Sequence, residues 1–266
     1  STPSNSSAAS DVYKRQAKKC AQGGLKTLLL EKRKLPRDKV CTGMIIGSWA
    51  KEIIKREYGE IPSHILAEPR YYKGIMLHIA DERPKKIINM MPVSWRRDLD
   101  YWMCQKALED GAKVKDKARV IGLWGKGDTY VIEVQVVREI EKLYTRFVIG
   151  ADGGASSVRK CFFPKLAVKY RPAYREFYKG EIRIEKDYFH WFFPHGSSSP
   201  RFDVNYKNGF FLIEGGGIKQ LRGEIKRILK GYGLSAGAKP VWRDGCLVPK
   251  IHDALLGGPF KPAKNN

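Results

Sequence analysis

The sequence predicts an α/β fold that passes into a β-rich, mixed region. A helix is expected over residues 17–22, because good helix formers run up to Gly23-Gly24, a typical C-terminal signal of helices. The apolar strand 25–31 follows at once and ends in an acidic residue. The second half of the chain is richer in aromatic residues, and turn signals separate its short apolar segments. These observations indicate an α/β beginning followed by mostly β-structure.

The remaining elements follow from hydrophobic periodicity and turn residues. Amphipathic helices are expected at 48–58 and 218–230, and a further helix at 97–109 is stopped by Gly111. A hairpin is expected around residues 125–128, and Asn208-Gly209 is a second hairpin signal. The other predicted strands are 71–79, 86–91, 120–124, 129–137, 143–149, 176–184, 189–193, 201–206 and 209–214.

The composition is that of a globular, basic protein. Of 266 residues, 42% are hydrophobic and 29% charged, which excludes wholesale disorder. The net charge of +22 favours anionic partners, but the charges are scattered and no nucleic-acid module is recognisable, so no specific nucleic-acid binding is expected. The apolar runs are too short to span a bilayer and no signal peptide is visible, which predicts a cytoplasmic location.

Cysteine and histidine spacing argues against a disulfide framework and against a metal site. The five cysteines are odd in number and widely spaced, and neither a C-x-x-C nor an H-E-x-x-H pattern occurs. Reduced thiols and no metal are therefore expected.

Residues 1–16 are expected to be a non-native or disordered tail. They begin with an aperiodic mixture of Ser, Ala, Asn and Pro, and residues 11–16, DVYKRQ, resemble a translated sequencing adapter. On this interpretation the natural polypeptide enters near Ala17.

Glu31 ends its strand where a dinucleotide-binding fold places an acid. There the acid accepts hydrogen bonds from the adenosine ribose, roughly 20 residues beyond a glycine loop. Counting back leads into residues 1–16, which contain no G-x-G-x-x-G motif. Glu31 and the adjacent Lys32 are candidate cofactor-binding residues, although a strand that ends in an exposed Glu is commonplace.

Residues 147–159, FVIGADGGASSVR, combine an apolar strand, an acid–glycine pair and a helix start. Asp152 is expected at the carboxyl end of the strand, where sheets of this type bind ligands. Gly153 lets the backbone approach a bulky cofactor, and Ser156 is suited to cap a following helix. The alternative is an unrelated strand–turn–helix corner.

Residues 147–159 and a second stretch, residues 96–100, resemble flavin motifs of FAD-dependent hydroxylases and their reductase relatives. Residues 147–159 are similar to the second flavin motif, whose Asp-Gly pair lies near the ribityl and pyrophosphate region. Residues 96–100, RRDLD, are similar to an R-x-x-F-D stretch whose arginine reaches the flavin. Arg96 matches the arginine and Asp100 the acid, whereas Leu99 replaces Phe.

Two further stretches resemble the geranylgeranyl reductase family, of the digeranylgeranylglycerophospholipid reductase type. Residues 36–43, PRDKVCTG, are similar to a Pro/Lys/Cys-Gly-Gly stretch. Residues 189–194, FHWFFP, are similar to a Tyr-x-Trp-x-Phe-Pro motif that lines the substrate cavity. The sequence departs from the family at Thr42, usually Gly, and at Phe189, usually Tyr.

The resemblance implies a Rossmann-like FAD-binding domain of the glutathione-reductase-like or hydroxylase type, with an α+β, mostly antiparallel substrate domain. The FAD-binding domain would cover 17–160, with inserted substrate-domain strands at about 62–92. The substrate domain would cover 161–250, and 251–266 would return to the FAD domain. It also implies truncation at both ends, and a chain that is inactive alone.

The activity implied is FAD-dependent reduction of carbon–carbon double bonds in the geranylgeranyl chain of a lipid or pigment, with NADPH or ferredoxin as electron donor. Cys41 is the candidate catalytic residue, gating the cavity or supplying a proton, and a buried spectator thiol is the alternative. An apolar tunnel for the prenyl chain would be lined by Phe189, Trp191, Phe193 and Pro194, and an ordinary core strand is the alternative. His190 and His195 are expected to face solvent. Peripheral contact with an anionic membrane is expected from the basic surface.

Two other functions remain open. An FAD-dependent monooxygenase or halogenase shares the Asp-Gly motif, and halogenases carry a Trp-x-Trp-x-Ile-Pro stretch with some likeness to residues 189–194. A non-catalytic basic protein that binds lipid or nucleic acid fits the net charge alone.

Overall fold

The computed structural model describes residues 6–249, with side chains from Lys14 onward. The chain forms two compact units, each assembled from separate stretches of sequence. Unit 1 comprises Ser1–Asp38, Asp100–Tyr170 and Val248–Asn266, and unit 2 comprises Lys39–Leu99 and Arg171–Leu247. The predicted end segment 251–266 lies outside the described residues.

Unit 1 opens with helix α1 (Ser6–Gln22) and the short strand β1 (Leu28–Leu30). Helix α3 (Arg96–Glu109) leads into strand β4 (Lys113–Lys115), which pairs with β1 in parallel. Their shared core consists of Ala17, Leu29, Ala107 and Ala112. Helix α1 starts at Ser6, so it includes residues 6–16, which the composition predicts to be a tail.

An antiparallel meander follows in unit 1. It consists of β5 (Ala118–Lys126), β6 (Thr129–Val136) and β7 (Glu139–Thr145), and its first turn is the hairpin predicted around residues 125–128. The predicted strand 143–149 is confirmed only up to Thr145, where β7 ends. Thr145 already faces Tyr130 at the start of β6, so the pairing ends there. Residues 147–149 pair with no strand among the described residues, and Phe147 is 72% exposed.

Unit 2 is built on one seven-stranded sheet. Its strands in chain order are β2 (Leu66–Ile79), β3 (Lys85–Ser94), β8 (Tyr170–Lys179), β9 (Tyr188–Phe193), β10 (Phe202–Lys207), β11 (Phe210–Gly216) and β12 (Trp242–Pro249). They lie in the order β12–β8–β11–β10–β9–β2–β3. Strands β2 and β9 run parallel, whereas β2–β3, β9–β10, β10–β11 and β8–β11 are antiparallel. The sheet therefore joins an early hairpin to strands from the second half of the chain.

One face of this sheet is covered by helix α5 (Ile218–Lys230). The predicted apolar stripe of this helix is buried at Ile218, Leu221 and Ile225, and these side chains pack on β9, β10 and β11. Alternation along a strand sends every second side chain to the same face, so Phe192, Phe202 and Val204 join this core. Burying that apolar area anchors the helix to the sheet.

The opposite face carries a smaller core and the loop 39–47, which contains Cys41. The buried members of this core are Ala67, Tyr72, Ile75, Met91, Val93 and Phe189. Helix α2 (Ser48–Tyr58) follows the loop, with the bounds predicted from its periodicity. This face positions the candidate site.

Three global properties of the described chain bear on function. No helix within residues 6–249 is both long and apolar enough to cross a membrane. All five cysteines are free thiols. Within the same part of the chain, no three His, Cys, Asp or Glu side chains are grouped so as to hold a metal ion.

Candidate functional site

The Cys41 loop is fastened to strand β3 by backbone hydrogen bonds. Ser94 N–H donates to Gly43 C=O, and Ile45 N–H donates to Pro92 C=O, each at 3.0 Å. Gly43 has a φ of 71°, and a Cβ atom at this position would lie 1.9 Å from the Ser94 carbonyl oxygen. Only glycine fits this close approach, so the loop has one path over the sheet.

Arg96 lies against the sulfur of Cys41. The buried guanidinium places Nη1 3.7 Å from Cys41 Sγ, and Gly43 N–H approaches the same sulfur at 3.4 Å. Both donors direct positive charge at the thiol. The structure thus brings together two residues that the sequence predicts for the site, the candidate catalytic cysteine and the candidate flavin-binding arginine.

Two more buried cations hold the carbonyl groups of the loop. Arg175 Nη1 donates to Cys41 C=O at 2.8 Å, and Lys207 Nζ donates to Thr42 C=O. Arg175 also forms a bidentate pair with Asp244, at 2.9 and 2.6 Å. Burial lowers the pKa of Lys207 to about 8, because its charged form has lost its water. The cysteine loop therefore lies against two buried positive charges.

Arg175 also belongs to a row of side chains that runs across four strands on the same face of the sheet. Trp191 on β9 faces Asp203 on β10, Asp203 faces Glu214 on β11, and Glu214 faces Arg175 on β8. Arg175 Nη1 lies 3.5 Å from Glu214 Oε1. Burial and the neighbouring negative charge of Glu214 raise the pKa of the Asp203 carboxyl well above its usual range. An acid pair thus separates the aromatic end of the row from the cysteine loop.

The predicted substrate-binding aromatics occupy two environments. Phe189 is fully buried and its ring lies 6.0 Å from that of Tyr72, so it belongs to the core. Trp191 and Phe193 share the same side of β9 by alternation and are only half-buried, as is Pro194. Trp191 meets Phe189 edge-on, with centroids 6.3 Å apart. Substrate contact by the half-buried side chains remains a prediction.

His190 does not face solvent, contrary to the prediction. It is buried on the α5 side of the sheet, where His78 Nε2 lies 2.8 Å from its Nδ1 and the Glu185 carbonyl oxygen lies 2.8 Å from its Nε2. The alternating pattern places His190 correctly on one face of β9, but helix α5 and the chain after it cover that face. His195 is exposed and pairs with Asp81 at 2.9 Å.

Glu31 and Lys32 follow strand β1 in unit 1. The Glu31 carboxylate is buried and accepts hydrogen bonds from Arg33 N–H at 3.0 Å and Arg37 Nε at 2.6 Å. Lys32 is exposed. Asp100, the acid of the R-x-x-x-D stretch, forms a buried ion pair with Lys14 at 3.1 Å. Both acids are thus compensated by cations of the same unit.

Asp152 and Gly153 precede helix α4 (Ser157–Phe162) in unit 1. Ser156 Oγ accepts from Arg159 N–H at 2.9 Å, which confirms its predicted capping role. Asp152 is exposed, and its Oδ2 accepts from the N–H groups of Ser157 and Val158. Gly153 has a φ of 84° and open space where a Cβ would stand. The backbone at this corner is accessible to a ligand.

The sequence did not indicate the buried charged side chains that lie beneath the Cys41 loop. Residues 202–207, FDVNYK, alternate apolar and polar side chains, a pattern that is typical of a strand with one solvated face. In the structure the polar side of β10 is covered, and Asn205 and Lys207 are fully buried. The one available signal was the number of charged residues in neighbouring strands, among them Arg175, Asp203 and Glu214.

No protein-family profile matches the chain. A geranylgeranyl diphosphate reductase from Rhodobacter capsulatus is 29% identical over 225 residues, which cover 74% of this chain and 51% of the relative. The chain therefore spans about half the length of this relative.

Solved structures show the same fold. A geranylgeranyl bacteriochlorophyll reductase-like protein from Thermoplasma acidophilum superposes with a TM-score of 0.73, at 19% identity, over 89% of this chain and 63% of that one. A p-nitrophenol 4-monooxygenase from Pseudomonas putida has a TM-score of 0.66 at 10% identity, over 90% of this chain and 65% of its own. A flavin-dependent halogenase has a TM-score of 0.65 at 14% identity, over 90% of this chain and 48% of the halogenase chain. The predicted fold class, α/β with a mostly antiparallel second sheet, is confirmed.

Proposed function

We propose that this chain is part of an FAD-dependent oxidoreductase of the geranylgeranyl reductase type. The enzyme would reduce carbon–carbon double bonds of a prenyl lipid or pigment tail. The sequence match favours the reductase over the other enzymes that share the fold. The observation that carries the proposal is the Cys41 loop, in which the family-like PRDKVCTG stretch holds its thiol against Arg96.

The residues present fit an FAD molecule. Gly153 leaves open space at the Asp152 corner, where a Cβ-free backbone can approach a bulky ligand. Glu31 ends a parallel strand, where dinucleotide-binding folds bind the ribose, and Lys32 beside it is exposed. Within unit 1, FAD would be held by Glu31, Lys32, Asp152 and Gly153, and Arg96 of unit 2 stays a predicted flavin contact.

The chain's own residues would position the prenyl substrate and manage its proton. When bound, reduced FAD supplies the hydride for the double bond. Half-buried apolar surface for the prenyl chain is offered by Trp191, Phe193 and Pro194. The core residue Phe189 packs edge-on against Trp191. Cys41 would close the cavity or deliver the proton, with Arg96 orienting its sulfur.

Partners follow from the same proposal. NADPH or ferredoxin would reduce the flavin before each turnover. A prenyl lipid enters from a membrane, and a protein with net charge +22 is attracted to anionic lipid surfaces. Peripheral membrane contact is therefore part of the proposal.

The function is tested with the gene product that covers the full length of its relatives. The purified protein is expected to show the visible spectrum of bound flavin and, once reduced without oxygen, to saturate a geranylgeranyl lipid, which mass spectrometry detects. A product that forms only with oxygen consumption would instead indicate a monooxygenase or halogenase. A colourless protein that binds lipid or nucleic acid would indicate a non-catalytic binding protein.

Replacing Cys41 by Ser tests the residue assignment. We expect Cys41→Ser to lower kcat at least about tenfold, since a positioned acid contributes at least that much, while the flavin spectrum stays unchanged. Cys161→Ser is the matched control, because Cys161 is exposed and lies in the other unit. Equal kcat values for the two variants would remove Cys41 from the mechanism.

A further inference from the structure

Asp203, which is half-buried, and Glu214, which is buried, form a carboxyl pair on the sheet face that carries the cysteine loop. The two residues are directly opposite each other on the antiparallel strands β10 and β11. Trp191 and Arg175 are their outer neighbours in the same row. Side chains at opposed positions of an antiparallel pair are in contact distance, so the two carboxyl groups face each other.

The pair lacks hydrogen-bond donors. Among the described residues, none donates to Asp203 Oδ1 or to either carboxylate oxygen of Glu214, although all three atoms are shielded from solvent. Arg175 reaches Glu214 only as an ion pair at 3.5 Å, while three of its five N–H groups donate to Cys41 C=O and Asp244. A buried acceptor without a donor costs about 1–3 kcal/mol, and a proton between the two carboxyl groups supplies the missing donor.

The charges around the pair lead to the same conclusion. The facing groups are Arg175 on β8, Lys207 on β10, Tyr72 on β2, Asp244 on β12 and Cys41 in the loop. Two cations, Arg175 and Lys207, stand against three carboxyl groups. Two ionised carboxylates at opposed positions would repel each other in a medium that screens poorly, and one proton on the pair removes that repulsion.

We propose that Asp203 and Glu214 share one proton at neutral pH and form the internal proton reservoir of the site beside Cys41. The reservoir role rests on the proposed function, in which each double bond takes up one hydride and one proton. The S–H bond of Cys41 breaks as its proton forms a C–H bond with one alkene carbon, and the O–H proton of the pair then restores the Cys41 thiol. The hydride supplied by reduced flavin, which is thereby oxidised, forms the other C–H bond, and solvent water protonates the pair again.

Infrared spectroscopy of the chain tests the shared proton without any ligand. A protonated carboxyl group gives a C=O stretching band that shifts in D₂O. We expect this band at neutral pH in the unmodified chain, and its loss in the isosteric variant Asp203→Asn. Glu214→Gln removes the neighbouring negative charge, so the band should disappear at lower pH than in the unmodified chain. Glu60→Gln, at an exposed position of unit 2, is the control and should change nothing.

Absence of the band from the unmodified chain, or its survival in Asp203→Asn, would overturn the shared proton. Circular dichroism shows whether each variant folds, and the spectrum of the unmodified chain keeps the test decisive if a variant does not.

The reservoir role is tested in the FAD-loaded gene product by the pH profile of kcat. Asp203→Asn is expected to lower kcat about 100-fold and to remove the high-pH limb, with FAD affinity unchanged. If the enzyme reduces prenyl chains and Asp203→Asn leaves kcat and its pH profile unchanged, the reservoir role is refuted while the proposed function stands. An unmodified enzyme that reduces no prenyl chain, yet shows the infrared band, would sink the proposed function and leave the shared proton standing.

Discussion

At the scale of single residues, the cysteine loop depends on a glycine that no other residue can replace. The PRDKVCTG stretch predicts that Cys41 is special, but it does not show why Gly43 follows it. The close approach of Gly43 to the Ser94 carbonyl gives the reason, since the loop could not lie on β3 with a side chain there. Cys41 and Arg96 were predictable from motifs, whereas their mutual contact required the fold.

Gly43→Ala is expected to destabilise unit 2 by at least about 2 kcal/mol, from backbone strain plus the clash with Ser94. Urea unfolding followed by tryptophan fluorescence measures the loss. Gly209→Ala is the matched control, because Gly209 also has a positive φ, of 78°, but nothing lies within 4 Å of its Cβ position. Equal losses in the two variants would contradict a clash at Gly43.

The two buried histidines, His78 and His190, take part in a series of hydrogen bonds in which each donor and each acceptor can be assigned. The Glu185 carbonyl can only accept, so His190 Nε2 donates to it and the Nδ1 of neutral His190 is an acceptor. His78 Nε2 therefore donates to His190, and His78 Nδ1 accepts from the Tyr232 hydroxyl at 2.8 Å. Burial, followed by the facing His190, lowers the pKa of His78 to about 4.

The lowered pKa of His78 predicts that the protein loses stability in mild acid. Between about pH 6.5 and 4 the unfolded chain binds a proton at His78 that the folded chain does not, so stability falls as the pH falls through that window, by about 3 kcal/mol. His78→Gln should flatten this part of the profile, measured by urea unfolding across the pH range. His195→Gln, at an exposed histidine, should keep it. A profile unaffected by His78→Gln would refute the assignment.

At the scale of elements, helices were predicted best and strands less well. Helices α2 and α5 have the bounds that their periodicity predicts, because an amphipathic helix carries its pattern within itself. The strand predicted at 143–149 begins and ends at the wrong residues, since a strand depends on its neighbour and β6 ends the pairing at Thr145. Strands β4 and β12 went unpredicted for the same reason, because their own residues show no clear alternation.

Helix α4 depends on its cap. Ser156→Ala removes the acceptor of Arg159 N–H and is expected to cost about 1 kcal/mol locally, seen as faster amide hydrogen exchange over Ser157–Phe162. Ser157→Ala is the control, because its exposed side chain is not the cap. Unchanged exchange in Ser156→Ala would show that Asp152 alone holds the helix start.

At the scale of the whole molecule, the assembly of each unit from distant stretches was the least predictable property. Hydrophobic patterns do not reveal that β2 and β9 pair in parallel across more than a hundred residues of chain. The resemblance to a flavoenzyme family did imply inserted strands, because it carries information about a complete fold. The row from Trp191 to Arg175 exists only once those strands are assembled.

Reoxidation of the flavin by a prenyl lipid distinguishes the reductase from the oxygen-dependent enzymes. The reduced, FAD-loaded gene product is mixed without oxygen with a geranylgeranyl lipid, and the flavin absorbance is followed in a stopped-flow instrument. We predict that the oxidised flavin spectrum returns at a rate that rises with lipid concentration and saturates, leaving the saturated prenyl chain as product. Flavin that stays reduced until oxygen is admitted would contradict the account.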